Sequence, residues 1–261
     1  MSFEQQIGIS KKDDINPIPD FELGDLRPTK DFGGSSMIHN LGDGYVVKEQ
    51  LSDIAKQVVG PAAELSKSVN RRAIDFAEQT CQPEQIETIR LQLEKRLELL
   101  NNNLSLCLQY LGDYFLDGRY QIKRNKNGIP TIYFTQERFP QDGVTLNPDS
   151  WALVFDDIVR GRLRDFIARI EKMYEETGLM VDLLTLDNVA FSPAQKTFYL
   201  YDADPLICSN DRREELEVKY LVSSENSRSF KTYHGTDTRN DLESNFEHLE
   251  MLKELVVADK P

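Results

Sequence analysis

Histidine and cysteine are scarce in this sequence, with three of each among 261 residues. Cys81, Cys107 and Cys208 are odd in number and scattered. They build neither a disulfide framework nor a zinc site, and a reducing cytoplasm is the expected location. His39, His234 and His248 are isolated too, which removes a metal centre built on His and Cys. Positive charge is also in deficit: 31 Lys+Arg face 44 Asp+Glu, for a formal net charge of −13. Nucleic-acid binding and docking on anionic membranes both need a basic face, so neither partner is expected. The acid excess suits a cationic small molecule or a basic protein segment, and it equally describes a well-solvated surface. No apolar run approaches the roughly 20 residues that span a bilayer, and the start, MSFEQQIGISKKDD, lacks the apolar core of a secretory leader. Carboxylates, lysine, asparagine and backbone remain to carry chemistry.

Pro17, Pro19 and Pro28 with mixed charge and no period predict an extended arm over residues 1–30. From Asp31 the text becomes DFGGSSMIHNLGDGYVVKEQ, which predicts strands over 37–41 and 45–49 about the turn Gly42-Asp43-Gly44. Helical text follows over 51–116, punctuated at Gly60-Pro61 and again at Gln82-Pro83. Ile86, Ile89, Leu93, Leu97, Leu100, Leu104, Leu108 and Leu111 recur there at helical spacing. That stripe fits a helix packed on its own domain, or a coiled-coil seam that Asn101-Asn102-Asn103 interrupts. Asn127-Gly128 marks a second hairpin, an amphipathic helix is expected over 149–177 with Gly178 as its stop, and short strands are expected over 188–191 and 197–201. A last helix is expected over 240–257. Strands grouped apart from helices predict an α+β class.

Two constellations stand out. In the first, Gly33, Gly34, Ser35 and Ser36 form a turn whose backbone N–H groups suit phosphate oxygens, with Lys48 on the following hairpin as a point charge; an ordinary surface turn reads the same way. A Walker pattern is absent. In the second, Asp182, Asp187, Asn188, Asp202 and Asp204 gather at the ends of an apolar hairpin. Few hard oxygen ligands of this kind suit a Mg²⁺ ion otherwise held by phosphates and water, while Asp and Asn also serve as plain turn and cap residues. Asp204, before Pro205, reads best as a turn residue.

Glycine turn, strand, Lys48 strand, helices, hairpin, a Gln-Glu-Arg-Phe-Pro segment, long helix, Asp182, Asn188, two strands and Asp202 follow in that order. Over residues 31–206 this order resembles a compact, divergent member of the protein-kinase-like superfamily, nearer to aminoglycoside phosphotransferases than to eukaryotic protein kinases. The resemblance implies a two-lobed α+β fold: an arm over 1–30, an N-lobe with a helical insert over 31–139, and a reduced helical C-lobe over 140–261. It implies ATP and Mg²⁺ as cofactors. Gly33, Gly34, Ser35 and Ser36 match the phosphate-covering loop, and Lys48 matches the V-A-I-K lysine. Residues 135–140 match the hinge, where backbone groups of Glu137 and Phe139 meet adenine. Asp182 matches the catalytic base, and Asn188 and Asp202 match the metal ligands. Met180-Val181 stands where the family has His-Arg, the step from Asp182 to Asn188 is one residue longer than usual, and Glu64, Glu78, Glu94 and Glu98 compete to partner Lys48. The expected activity is transfer of the ATP γ-phosphate to a hydroxyl of a protein or small molecule. The alternatives are a pseudokinase that binds nucleotide or a partner without catalysis, and a helical scaffold that associates through 86–111.

Overall fold

The computed structural model describes residues 18–33, 36–42, 44–50, 71–146, 156–183, 188–201, 206–209, 211–212, 215 and 238–257. Strands β1 (Arg27–Gly33), β2 (Ser36–Gly42) and β3 (Tyr45–Gln50) run antiparallel in succession. After β3 come helices α1 (Arg71–Gln79) and α2 (Pro83–Leu111), and then β4 (Gly118–Arg124) and β5 (Pro130–Glu137). The five strands form one sheet in the order β1-β2-β3-β5-β4, so the helices are inserted between its third and fourth strands. The second half holds β6 (Val144–Thr145), α3 (Asp157–Thr177), β7 (Leu179–Val181), β8 (Val189–Ser192), β9 (Thr197–Leu200), β10 (Leu206–Cys208) and α4 (Thr238–Val257). There β6-β8-β9 make a small antiparallel sheet, and β7 pairs with β10. The class is α+β, as the grouping of strands and helices predicts.

Local chemistry accounts for the elements. Gly42 and Gly44 take φ of 92° and 84°, which lets the chain reverse between β2 and β3. The Asn127-Gly128 hairpin forms where expected, but its loop is longer than the dipeptide. Asn125 N donates to the Ile129 carbonyl, and the Asn125 side chain accepts from Asn127 N and Ile129 N. Helix α2 starts with Pro83 after a Gln82–Gln85 capping box. Helix α3 is capped by Asp156, which accepts from Ile158 N and pairs with Lys196 at 2.7 Å. The helix expected from 149 therefore begins later, at Asp157, and it stops at Gly178 as expected, with φ of 69°.

The arm expected over 1–30 overlaps β1, which starts at Arg27. β1 is an edge strand whose register shifts between Pro28 and Phe32, so no clean alternation shows in its sequence. Just ahead of it, Phe21 is buried and meets the Tyr133 ring edge-on, centroids 5.5 Å apart. Lys123 holds this stretch through the Phe21 carbonyl and Asp20.

Cross-strand register gives the sheet two different faces. His39, Val47 and Thr135 share one row, and Met37, Glu49 and Tyr133 the next on the same face. That outer face carries a buried chain in which His39 Nε2 lies 2.8 Å from Glu49 and Tyr133 Oη donates to Glu49 at 3.3 Å. Burial first, and then the neighbouring Glu49, push the Tyr133 phenol far above its ordinary pKa. The inner face presents Ile38, Lys48 and Phe134. Phe134, Tyr120 and Ile132 on that side join the main core with α2, α3 and the β8–β9 hairpin. From the α2 stripe, Ile89, Leu93, Leu100, Leu104 and Leu111 are buried within the chain itself, which favours the packed-helix reading over the seam. Among the described residues no helix is long and apolar enough to cross a membrane.

Two predictions follow from this packing. Leu100 is fully buried, so Leu100→Ala is expected to lower the unfolding free energy by about 2–5 kcal/mol in urea titration; an unchanged midpoint would refute the packed stripe. Asp142 ties the segment after β5 to the β8–β9 turn, accepting from Ala194 N at 2.7 Å and Ser192 Oγ at 3.0 Å. The Ala194 N–H, more than Ser192, holds its pKa below the ordinary aspartate value. This contribution is complete above about pH 4 and disappears as pH falls through the depressed value. Asp142→Asn should therefore melt below the wild type at pH 7, and the two melting curves should converge in acid.

Candidate functional site

Lys48 sits on β3 between Ile38 of β2 and Phe134 of β5, facing the second half of the chain. Its ammonium donates to the Tyr201 carbonyl at 3.1 Å, across 153 positions of sequence. The ring centroids of Tyr201 and Phe134 lie 5.3 Å and 5.6 Å from Nζ. One carbonyl and two aromatic faces thus stabilise a half-buried cation. The same carbonyl accepts from Gln136 Nε2 at 2.9 Å, and Gln136 also donates to the Leu116 carbonyl at 3.1 Å. Leu116 N in turn donates to Leu200 O at 3.0 Å. Lys48 and Gln136 share a face because strand side chains alternate, and this same alternation turns Glu137 to the opposite side.

The β8–β9 hairpin brings Asn188 to this point. Val189 faces Leu200, and one step further Tyr201 N donates to Asn188 O at 3.4 Å. Asn188 Nδ2 donates to the backbone oxygen of Asp182 at 3.3 Å. Asp182 follows β7 directly and is buried, 2% exposed as a residue. Asn245 of α4 bonds the backbone on both sides of it: Nδ2 donates to Val181 O at 2.8 Å, and Oδ1 accepts from Leu183 N at 2.6 Å.

Of the expected residues, Lys48, Asn188 and Asp182 form one linked group through Tyr201. Phe139 adjoins it, with its ring centroid 6.4 Å from that of Tyr201. Gly33 and Ser36 face each other at the end of the β1–β2 hairpin. Ser36 pairs with Gln50, two residues beyond Lys48, hence about 7 Å along the strand. Glu137 is placed differently. It lines an open cleft of about 540 Å³ with Tyr45, Arg138, Arg162 and Tyr199, and neither Lys48 nor Asn188 lines that cleft. Gly34, Ser35, Asp187, Asp202 and Asp204 lie outside the described residues. Among the described residues no three His, Cys, Asp or Glu side chains are grouped to hold a metal ion.

The candidates for a Lys48 partner also sort themselves. Glu78 is buried and accepts from Asn125 and Asn127 in the β4–β5 loop. Glu94 pairs with Arg90, Glu98 is exposed, and Glu64 lies outside the described residues. Gln136, Tyr201 and Asn245 were not expected. For Asn245 a sequence signal exists: Asn245, Leu249, Leu252 and Val256 form one helical stripe with a polar residue at a core position. No family model matches the chain, and no characterised protein matches it in sequence.

Gln136 is 2% exposed and spans two carbonyls. Gln136→Leu should keep its volume while stranding the Leu116 oxygen, at a cost of about 1–3 kcal/mol in chemical denaturation. A variant as stable as the wild type would show that the Gln136 link carries no stability.

Proposed function

We propose that the chain is an ATP- and Mg²⁺-dependent phosphotransferase on a two-lobed, protein-kinase-like fold, moving the γ-phosphate to a hydroxyl of a protein or cationic small molecule. The observation that carries the reading is the bond from Lys48 to Tyr201, the residue immediately before Asp202. A five-stranded antiparallel sheet with a helical insert, followed by a helix-rich half carrying the Asn188–Tyr201 hairpin, agrees with the architecture that the resemblance implies.

The residues present suit the two cofactors. An ammonium has three donors, and the Tyr201 carbonyl takes one; phosphate oxygens are the natural acceptors for the others. Asn188 turns its amide nitrogen to Asp182 O, which leaves Oδ1 as the hard oxygen that Mg²⁺ takes. In this reading Lys48 holds the α- and β-phosphates, and Gly33, Gly34, Ser35 and Ser36 cover them with backbone N–H groups. Asn188 and Asp202 hold the metal, and backbone groups of Glu137 and Phe139 meet adenine. Bound Mg²⁺–ATP supplies the phosphoryl group and neutralises its charge. Asp182 orients the acceptor hydroxyl and takes its proton.

One observation favours the pseudokinase alternative. Asp182 is 2% exposed, and a base has to come within about 2.6–3.2 Å of the hydroxyl it serves. Thermal melting with ATP and Mg²⁺, followed by an assay of phosphate release, separates the readings. At about 100 times Kd the nucleotide should add about 2.7 kcal/mol, a rise of about 5–10 °C for a chain of this size. Lys48→Ala should abolish the rise. Asp182→Asn should keep it and cut turnover by at least about 100-fold. A melting temperature indifferent to nucleotide would refute the enzyme and the nucleotide-binding pseudokinase alike, and a rise with the same phosphate release in wild type and Asp182→Asn would refute the enzyme.

A further inference from the structure

We infer that Asn245 is the positioning residue of the candidate base Asp182, which makes α4 a working part of the site. The argument is one of torsions. The Val181 carbonyl belongs to the peptide plane before Asp182, and the Leu183 N–H to the plane after it. Rotation about φ and ψ of Asp182 moves these two planes relative to its Cα. Asn245 bonds both at once, at 2.8 Å and 2.6 Å, through a single planar amide. Holding both planes holds both torsions, and with them the direction of the Asp182 Cα–Cβ bond.

The amide itself is well held. Asn245 is fully buried, beside Leu249 and Leu252 on the same helical stripe. Phe246, its neighbour in sequence, meets the Tyr174 ring of α3 edge-on at 5.0 Å. A buried amide without partners is costly, so its two bonds are maintained for as long as α4 is docked. Asn188 Nδ2 takes the Asp182 oxygen, the other end of the plane whose N–H goes to Asn245. One peptide group therefore links the proposed metal ligand, the proposed base and the last described helix. A leucine at 245 continues the apolar stripe and makes neither bond; an aspartate keeps the acceptor for Leu183 N–H and loses the donor to Val181.

The kinetic arm of the test rests on the phosphotransfer reading, and the exchange arm does not. Full-length wild type, Asn245→Leu and Asn245→Asp are compared for melting temperature, affinity for Mg²⁺–ATP, ATP hydrolysis with water as acceptor, and amide hydrogen exchange at Leu183. The expected result is nucleotide affinity within about twofold of wild type and turnover down by about 100-fold in Asn245→Leu, with a smaller loss in Asn245→Asp. Exchange at Leu183 should quicken by about tenfold or more in Asn245→Leu while the β5 amides keep their wild-type rates. If Asn245→Leu does not fold, Asn245→Asp decides by the same readouts. Wild-type turnover in the variants, or a parallel fall of affinity, turnover and β5 protection, overturns the inference, since the latter is what a merely structural residue gives. A wild type that binds no nucleotide and hydrolyses no ATP refutes the phosphotransfer reading; unchanged Leu183 exchange then overturns the positioning role as well, and quickened local exchange upholds it.

Discussion

One carbonyl oxygen joins the two halves of this chain. The Tyr201 carbonyl accepts Lys48 from β3 and Gln136 from β5, while the Tyr201 N–H is spent on Asn188. Bringing an ammonium out of water is expensive unless acceptors meet it, and a backbone carbonyl flanked by two ring faces meets part of that cost. The core packing of Val189, Phe191, Phe198 and Leu200 seats the β8–β9 hairpin beneath the sheet, and this contact ties its end, with Asn188, to Lys48. Leu116 reinforces it through backbone bonding to Leu200, and Gln136 closes the circuit by binding the Leu116 carbonyl.

The two faces of the five-stranded sheet divide the labour. The outer face holds a buried polar chain in which Glu49 meets both His39 and Tyr133, with Phe21 against the Tyr133 ring. The inner face gives Lys48 and Gln136 to the second half of the molecule and Phe134, Tyr120 and Ile132 to the core. Strand alternation makes this division possible, and it explains why neighbours in sequence such as Gln136 and Glu137 end in different surroundings.

Much of the fold was legible in the residues themselves, because periodicity and turn chemistry are local. The α2 stripe, the stop at Gly178, the hairpins about Gly42-Asp43-Gly44 and Asn127-Gly128 and the β8–β9 pair all stand close to where the text puts them. β1 was hidden by its bulge and its edge position, where one side needs no partner and Pro28 is tolerated. Of the candidate site, Lys48 and Asn188 were legible as residue types in a spaced order. Gln136 was not, since its role comes from facing Lys48 across a register that only the paired sheet defines. Asn245 acts across 62 to 64 positions, and no local rule connects it with Asp182. The role of Glu78 was likewise decided at a distance, by the β4–β5 loop that holds it.

The span from Leu183 to Asn245 also sets a clock. Chains emerge from the ribosome N-terminus first at about 5–20 residues per second, so 62 residues correspond to about 3–12 s of synthesis. The sheet, α2 and α3 are complete in sequence when it begins, and the β8–β9 hairpin soon after, yet the Val181 carbonyl and the Leu183 N–H still lack the Asn245 amide. The sheet and the hairpin are therefore made before the Asp182 loop is set, and α4, made later, sets it as it completes the core.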